Sequence, residues 1–273
     1  MKNRKVKIGI IGCGVIGCQL ARAIEQRFSE RSELSALCDI DRNKAQGLKS
    51  RSSSNPAIFS QEELIERCEL IIEAASAAYS YEIAQKALER NKDVMLMSVG
   101  GILDRHQQLF SLAQSKGRRI YLPSGALCGL DAVKSAAMAG ISQATLITRK
   151  PPQGLAGAPY LAEHNIDLSS IKEETVVFEG TAVEAVRGFP KNVNVCATLS
   201  LAGIGARKTI VKITTSPDYK ANIHEIQLEG DFGKLQARTE NVPTPENPKT
   251  SFLASLSAIA TLKNILDVVK IGT

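Results

Sequence analysis

Val6-Lys7-Ile8-Gly9-Ile10-Ile11-Gly12-Cys13-Gly14-Val15-Ile16-Gly17 decides the fold of this chain. An apolar run, Val6–Ile11, passes directly into a G-x-G-x-x-G turn. An amphipathic stretch, Cys18–Phe28, follows, and a second apolar run, Leu34–Cys38, ends in Asp39. Strand, glycine turn, helix, strand and acid, in this order and spacing, predict a dinucleotide site. Gly12 lets the chain turn tightly. Gly14 has no Cβ, so a pyrophosphate can approach the backbone, and Gly17 lets the helix pack close to the sheet. The first helical N–H groups, at Val15, Ile16 and Gly17, would face that pyrophosphate at the positive end of the helix dipole. Asp39 would accept hydrogen bonds from the adenosine ribose hydroxyls, which favours NAD and repels a 2′-phosphate. Arg42 softens that exclusion and leaves NADP use open. The alternative is a tight strand-to-helix turn with no ligand.

Working outward, strand and helix patterns alternate to about residue 122. Helices are predicted near Arg42–Leu48, at Gln61–Arg67, at Tyr79–Arg90 and from an Asp104 cap to Lys116. Strands are predicted at Leu70–Ser76, Val94–Ser98 and Arg119–Leu122. This is an α/β pattern, a Rossmann-type doubly wound parallel sheet. Ligands bind such sheets at the carboxyl ends of the strands. That rule puts Gly12–Gly17, Asp39, Ala74-Ala75-Ser76 and Ser98–Gly101 on one rim.

After Pro123 the pattern changes to a second, α+β domain with a mixed sheet. A small-residue loop, Pro123–Asp131, leads into a predicted helix, Ala132–Ala139. Strands are predicted at Ala144–Thr148, Thr175–Glu179, Thr209–Thr215, His224–Glu229 and Lys234–Glu240, and a helix at Asn194–Ala202. Pro151–Pro159 and Thr239–Lys249 read as loops. Phe252–Val269 reads as a long amphipathic helix returning to the first domain. The expected boundaries are 1–123 for nucleotide binding, 124–245 for substrate, catalysis and dimerisation, and 246–273 for the returning helix.

The chain has 273 residues, 44% hydrophobic and 23% charged, with a net charge of +6. The positive excess is scattered, so it favours small anionic ligands and gives no nucleic-acid stripe. Six cysteines form no CxxC pair and share no ligand spacing with the three histidines. They read as small core residues in a reducing cytoplasm, with no metal site. The start runs straight into the first strand with no room for a signal peptide, and no apolar stretch reaches membrane-spanning length. The expectation is a cytoplasmic protein with no membrane or nucleic-acid partner.

Several motifs carry a resemblance. Glu73-Ala74-Ala75-Ser76, Met97-Ser98-Val99-Gly100, Pro123-Ser124-Gly125-Ala126, Phe189-Pro190-Lys191-Asn192-Val193-Asn194-Val195, Ala197–Gly203, His224-Glu225-Ile226 and Glu246–Ser251 resemble the L-aspartate dehydrogenases. The resemblance spans essentially the whole chain. It implies NAD(P)-dependent oxidative deamination of L-aspartate to iminoaspartate. That product hydrolyses to oxaloacetate and ammonia or feeds quinolinate synthesis for NAD. It also implies a Rossmann domain plus an α/β domain like those of dihydrodipicolinate reductase and homoserine dehydrogenase, in a homodimer. The family's single catalytic histidine matches His224. Its nicotinamide-cofactor contacts match the backbone at Ala126 and the side chain of Asn194. Cys128 and Cys196 depart from the family pattern without removing a functional group.

Three histidines compete for the chemistry, which needs a proton acceptor for the substrate amine or an activator of water. His106 sits early in a polar helix and reads as solvated. His164 lies in a polar, loop-like stretch and reads as exposed, with a lid or carboxylate-binding role as the alternative. Strand alternation puts His224 on one face with Ile226 and Leu228. From the residues alone it fits a satisfied, half-buried histidine better than a base; the resemblance reverses that. Asn192 and Asn194 suit helix capping, and Asn194 also suits the nicotinamide carboxamide. Lys191, Asn192, His164 and the pair Arg149-Lys150 are the candidates for binding substrate, whose two carboxylates need about two cationic or N–H-rich partners. A related reductase of another small anionic substrate, or a non-catalytic dinucleotide sensor, are the competing readings. The intact loop and histidine set argues against the sensor.

Overall fold

Isoleucine- and leucine-rich runs bounded by glycine and polar turns build the sheet of the first unit. The computed structural model describes residues 4–190, 194–244 and 247–272. It comprises two units, Met1–Pro123 with Ala258–Val269, and Ser124–Ser257 with Lys270–Thr273. The first contains β1 (Val6–Ile11), α1 (Val15–Arg27), β2 (Ser32–Cys38), α2 (Arg42–Arg51), β3 (Ala57–Ile58) and α3 (Gln61–Arg67). It continues with β4 (Leu70–Glu73), α4 (Ala77–Glu89), β5 (Asp93–Leu96), α5 (His106–Lys116) and β6 (Ile120–Tyr121). Six parallel strands lie in the order β3-β2-β1-β4-β5-β6. The chain winds one way from β1 and the other way from β4, so the switch point lies between these two strands, where doubly wound sheets place ligands. Ile8, Ile10, Leu20, Ile24, Leu34, Leu37 and Ile72 are fully or almost fully buried in its core. Each such side chain contributes ~1.5–3 kcal/mol relative to exposure.

Two details correct the reading of this unit. The short edge strand β3 was not predicted. Asp104 does not cap α5: a 3-10 turn, Val99–Arg105, intervenes, and Arg105 is the cap residue. Gly101 explains the turn's close seat, because a Cβ there would lie 1.9 Å from the Ala77 carbonyl oxygen.

The second unit contains α6 (Leu130–Ala139), β7 (Ile141–Lys150), α7 (Pro159–Glu163), β8 (Thr175–Thr181), α8 (Ala182–Gly188), α9 (Asn194–Ala202), β9 (Thr209–Thr215), β10 (Asn222–Gly230) and β11 (Gly233–Asn241). The antiparallel pair β12 (Pro243–Thr244) and β13 (Asn247–Ser251) precedes α10 (Phe252–Leu266). The five-stranded sheet runs β11-β10-β7-β9-β8, with β7 and β9 parallel and the other neighbours antiparallel. Its core combines Ala144, Leu146, Val211, Ile213, Ile226 and Leu228 from one sheet face with Val133, Ala185 and Leu199 from the helices. Ala258 and Leu262 of α10 are buried in the core of the first unit.

Of the stretch Thr239–Lys249, read as a loop, the described residues include the end of β11 and the paired strands Pro243–Thr244 and Asn247–Ser251. Helices α7 and α8 were not predicted. Pro159 opens α7, where its fixed φ suits the first helical position. Thr181 and Glu184 form a reciprocal capping box on α8. Among the described residues, no helix is long and apolar enough to cross a membrane.

Candidate functional site

In the first unit the candidate cofactor residues converge. A cleft of about 430 Å³ is lined by Gly12, Gly14, Asp39, Ala75 and Ser76, together with Ile40, Lys44, Gln61 and Tyr79. Gly12 has φ +102°, and a Cβ there would lie 2.4 Å from the Ala74 backbone. A Cβ on Gly17 would lie 2.0 Å from the Gly12 carbonyl oxygen, so only glycine lets α1 start this close to β1. Gly14 differs: nothing lies within 4 Å of its Cβ position. Space and backbone N–H groups there fit an anionic group at the start of a 13-residue helix. Val15 and Ile16 form the first turn of that helix.

Asp39 closes the turn. Its Oδ2 accepts from the Cys13 N–H at 2.6 Å, and Oδ1 accepts from the Asp41 N–H at 2.8 Å. Lys44, rather than Arg42, joins Asp39 in lining the cleft. Ile40, Lys44 and Tyr79 were missed by sequence reasoning. Their distance from the glycine turn hides them, although Lys44 follows Asp39 on the same loop and helix.

A buried acid organises the rim. Glu73 ends β4 and is fully buried. Its carboxylate accepts from the Ala75 N–H at 2.9 Å, from the Ser98 N–H at 3.0 Å and from the Ser98 hydroxyl at 2.9 Å. Burial raises its pKa above the usual carboxylate range, with the hydrogen bonds from Ser98 and Ala75 opposing part of that rise. Sequence reasoning absorbed Glu73 into an apolar strand. The signal was there: a lone acid inside Leu70-Ile71-Ile72-Glu73-Ala74-Ala75.

In the second unit the sheet face that packs on the helices changes character along its length. At one end it carries Ala144, Leu146, Ile226 and Leu228. At the other it carries Thr148, Lys150, His224 and Thr215, all buried. His224 faces Thr148 across β7–β10 and Thr239 across β10–β11. Its Nδ1 lies 3.1 Å from the Thr148 hydroxyl. Burial, and then the nearby Lys150 ammonium, push the imidazole down to about 3, so it is neutral near pH 7. Burial pushes Lys150 down to about 8.

The Ser-Gly-Ala loop is tied to the same end. The Ala126 carbonyl accepts from the Thr239 hydroxyl at 2.9 Å and from the Asn241 side-chain amide at 3.3 Å. Asn241 Oδ1 is buried without a hydrogen-bond partner. Asn194 is exposed at the start of α9, and its carbonyl accepts from the Thr198 hydroxyl at 2.9 Å. Lys191 and Asn192 lie outside the described residues. His164 is exposed at the end of α7, its ring stacked on Tyr160 and its Nδ1 2.9 Å from the Tyr160 carbonyl oxygen. His106 is half-buried rather than solvated, with Nδ1 2.6 Å from the Leu103 carbonyl oxygen.

Arg149, beside Lys150, points to the opposite face. It binds Glu225 at 3.0 Å and reaches Glu174 at 3.9 Å. Burial acts to raise the Glu225 pKa, but hydrogen bonds from Gln227, Arg149 and Gln236 outweigh it and hold the carboxyl below its usual value. The six cysteines carry thiols rather than disulfides. Among the described residues, no group of three or more His, Cys, Asp or Glu is arranged to hold a metal ion.

Comparison with known proteins covers both units. Residues 131–265 match a family model described as "Aspartate dehydrogenase, C-terminal", and residues 12–123 match one described as "Homoserine dehydrogenase, NAD binding domain". The chain is 52% identical over 271 residues to the L-aspartate dehydrogenase of Methanosarcina mazei, covering 98% of this chain and 100% of that one. It is 38% identical over 271 residues to the L-aspartate dehydrogenase of Bradyrhizobium diazoefficiens, covering 99% and 95%. Among solved structures, aspartate dehydrogenase from Thermotoga maritima aligns with TM-score 0.77 at 25% identity, covering 98% of this chain and all of that one. A likeness at this level, carried through both units by relatives with one name, goes beyond a shared nucleotide fold: the chain belongs to the L-aspartate dehydrogenase family.

Proposed function

We propose that this chain catalyses the NAD-dependent oxidation of L-aspartate, with water, to oxaloacetate and ammonia, and the reverse reductive amination. The observation that carries the reading is His224: a neutral, buried imidazole among hydroxyl and ammonium groups, in a chain that matches L-aspartate dehydrogenases end to end. In the proposed arrangement Gly12, Gly14, Val15, Ile16 and Gly17 hold the cofactor pyrophosphate, and Asp39 holds the adenosine ribose. Ala75, Ser76 and Ser98 supply further rim contacts. Ala126 and Asn194 are assigned to the cofactor by the family resemblance. Bound NAD supplies the two-electron oxidant that takes a hydride from the substrate Cα.

The substrate must offer a neutral amine. In the proposed tautomer the Nδ1–H of His224 donates to the Thr148 hydroxyl, 3.1 Å away, which leaves the lone pair on Nε2 to accept the ammonium proton. Once that proton has passed to solvent, the restored lone pair on Nε2 is also placed to accept a proton from the water that adds to the imine. Lys191, Asn192 and His164 complete the proposed substrate contacts. The enzyme is proposed to be a cytoplasmic homodimer, with iminoaspartate also available to quinolinate synthesis on the route to NAD.

The test is oxidation of NADH or NADPH by oxaloacetate plus ammonia, using wild type and His224→Ala. Wild type should turn over, with NADH preferred, and His224→Ala should lose at least a hundredfold in kcat, the scale of acid–base catalysis. No aspartate-linked turnover in either direction rules out the function. Full activity in His224→Ala rules out the histidine's role.

A further inference from the structure

Two adjacent cations end β7, and the strand sends them to different faces. Arg149 lies on the outer face, bound to Glu225 and near Glu174. Lys150 lies on the inner face, with Thr148 two residues before it, and is 9% exposed. Its partner on β9 is Thr215, and its neighbour diagonally across on β10 is His224, a separation long side chains span. The turn Pro152–Gly154 covers its stem: a Cβ on Gly154 would sit 3.6 Å from both Cβ and Cδ of Lys150. Asn241, on the same end of the face, keeps a buried amide oxygen without a hydrogen-bond partner.

We propose that Lys150 receives one carboxylate of the acidic substrate, and that seating the carboxylate there strengthens the neighbouring His224 as a proton acceptor. This rests on the aspartate reading above. The side chains that the strands bring to this end of the face are Thr148, Lys150, Ile213, Thr215, Asn222, His224, Thr239 and Asn241. They amount to one cation, one imidazole, one aliphatic side chain and otherwise neutral hydroxyl and amide groups, a set suited to an anion. Burying an ammonium disfavours its charged form, and Lys150 is pushed down to about 8 by that cause.

The second half follows from charge. The Lys150 ammonium is the charge that acts on His224, and it lowers the imidazole's proton affinity. The other cation of this strand, Arg149, is on the opposite face and paired with Glu225. A carboxylate placed on Lys150 offsets its field, so His224 becomes more basic when an acidic substrate is bound. A monocarboxylate amino acid can place its only carboxylate on Lys150 or elsewhere, but a dicarboxylate can do both. The pair therefore favours dicarboxylates in binding and in proton transfer together.

The experiment compares wild type, Lys150→Met, Lys150→Gln and Lys150→Arg as full chains. Expected for Lys150→Met and Lys150→Gln is a KM for oxaloacetate at least thirtyfold higher, with the Kd for NADH within twofold of wild type. Lys150→Arg should recover part of the loss. Histidine NMR should show the His224 titration moving upward on adding succinate to wild type, and not in Lys150→Met. Lys150→Met should also melt at a higher temperature than wild type at pH 7, because a buried charge is gone. If Lys150→Met misfolds, Lys150→Gln carries the same comparison. Wild-type turnover with an unchanged oxaloacetate KM in the variants overturns the assignment of Lys150. Absence of wild-type turnover overturns the aspartate reading instead, and a succinate-dependent His224 titration that needs Lys150 would still stand as evidence for the anion site.

Discussion

Glu73 and Ser98 are joined twice: the Ser98 N–H donates to one carboxylate oxygen at 3.0 Å and its hydroxyl donates to the other at 2.9 Å. One buried carboxylate thus ties the end of β4 to the segment after β5, while also receiving the Ala75 N–H. Two loops of the proposed cofactor rim share a single anchor. Glu73→Gln keeps the volume but turns one acceptor into a donor that faces an N–H or a hydroxyl. Leaving buried donors unmatched costs about 1–3 kcal/mol. The expected result is a lower Tm and roughly tenfold weaker NADH binding, read by fluorescence titration. Unchanged melting and unchanged Kd would remove the anchor role.

The glycines of the first turn should separate folding from binding. Gly17→Ala sets a Cβ 2.0 Å from the Gly12 carbonyl oxygen, so α1 must shift. Overpacking of this kind costs about 1–3 kcal/mol. Gly14→Ala meets nothing within 4 Å, so it should melt like wild type yet bind NADH at least tenfold more weakly. Equal effects of the two variants on melting would contradict this division.

His224 should give the fold an acid-sensitive element. Its imidazole is pushed from 6.5 to about 3 on folding. The unfolded chain therefore binds the proton more tightly, and the stability from neutral His224 is fully present above pH 6.5 and lost as pH falls toward 3. Between pH 6.5 and 5 the loss is about 2 kcal/mol. Urea unfolding at pH 7 and pH 5 should show this difference in wild type and a smaller one in His224→Asn. Parallel behaviour of the two proteins would mean that His224 does not titrate as described.

Coenzyme choice should respond to Asp39 and Lys44. Asp39→Ser removes the charge that opposes a 2′-phosphate, beside a lysine that lines the same cleft. The NADP-to-NAD ratio of kcat/KM should rise at least tenfold. Adding Lys44→Ala should reverse most of the gain, whereas adding Arg42→Ala should not. The reverse pattern would return the role to Arg42.

Much of the first unit was legible because its signals are local. Val6–Ile11 matches β1 residue for residue, and Gln61–Arg67 matches α3, whose Ser60–Glu63 capping box lies in adjacent sequence. Period-two alternation likewise put His224, Ile226 and Leu228 on one face. What escaped depends on distant partners. The acceptors at Glu73 are satisfied from a different strand, and the bond from Thr239 to Ala126 spans 113 positions. Ala144–Thr148 was read two residues short of the true end of β7, because Arg149-Lys150 before two prolines looks like a loop. That shortfall hid the sorting of the two cations. The capping box Thr181–Glu184 is as local as that of α3, and it marks a helix absent from the expectations above.

That sorting constrains how β7 can change over evolutionary time. A strand turns consecutive residues to opposite sides, so facing is a matter of odd and even positions. Deleting any one residue between Ile141 and Thr148 would exchange the places of Arg149 and Lys150. The guanidinium would enter the buried face, and the lysine would take its place beside Glu225. Substitutions along β7 can be tested one at a time by selection, but its length can change only in steps of two.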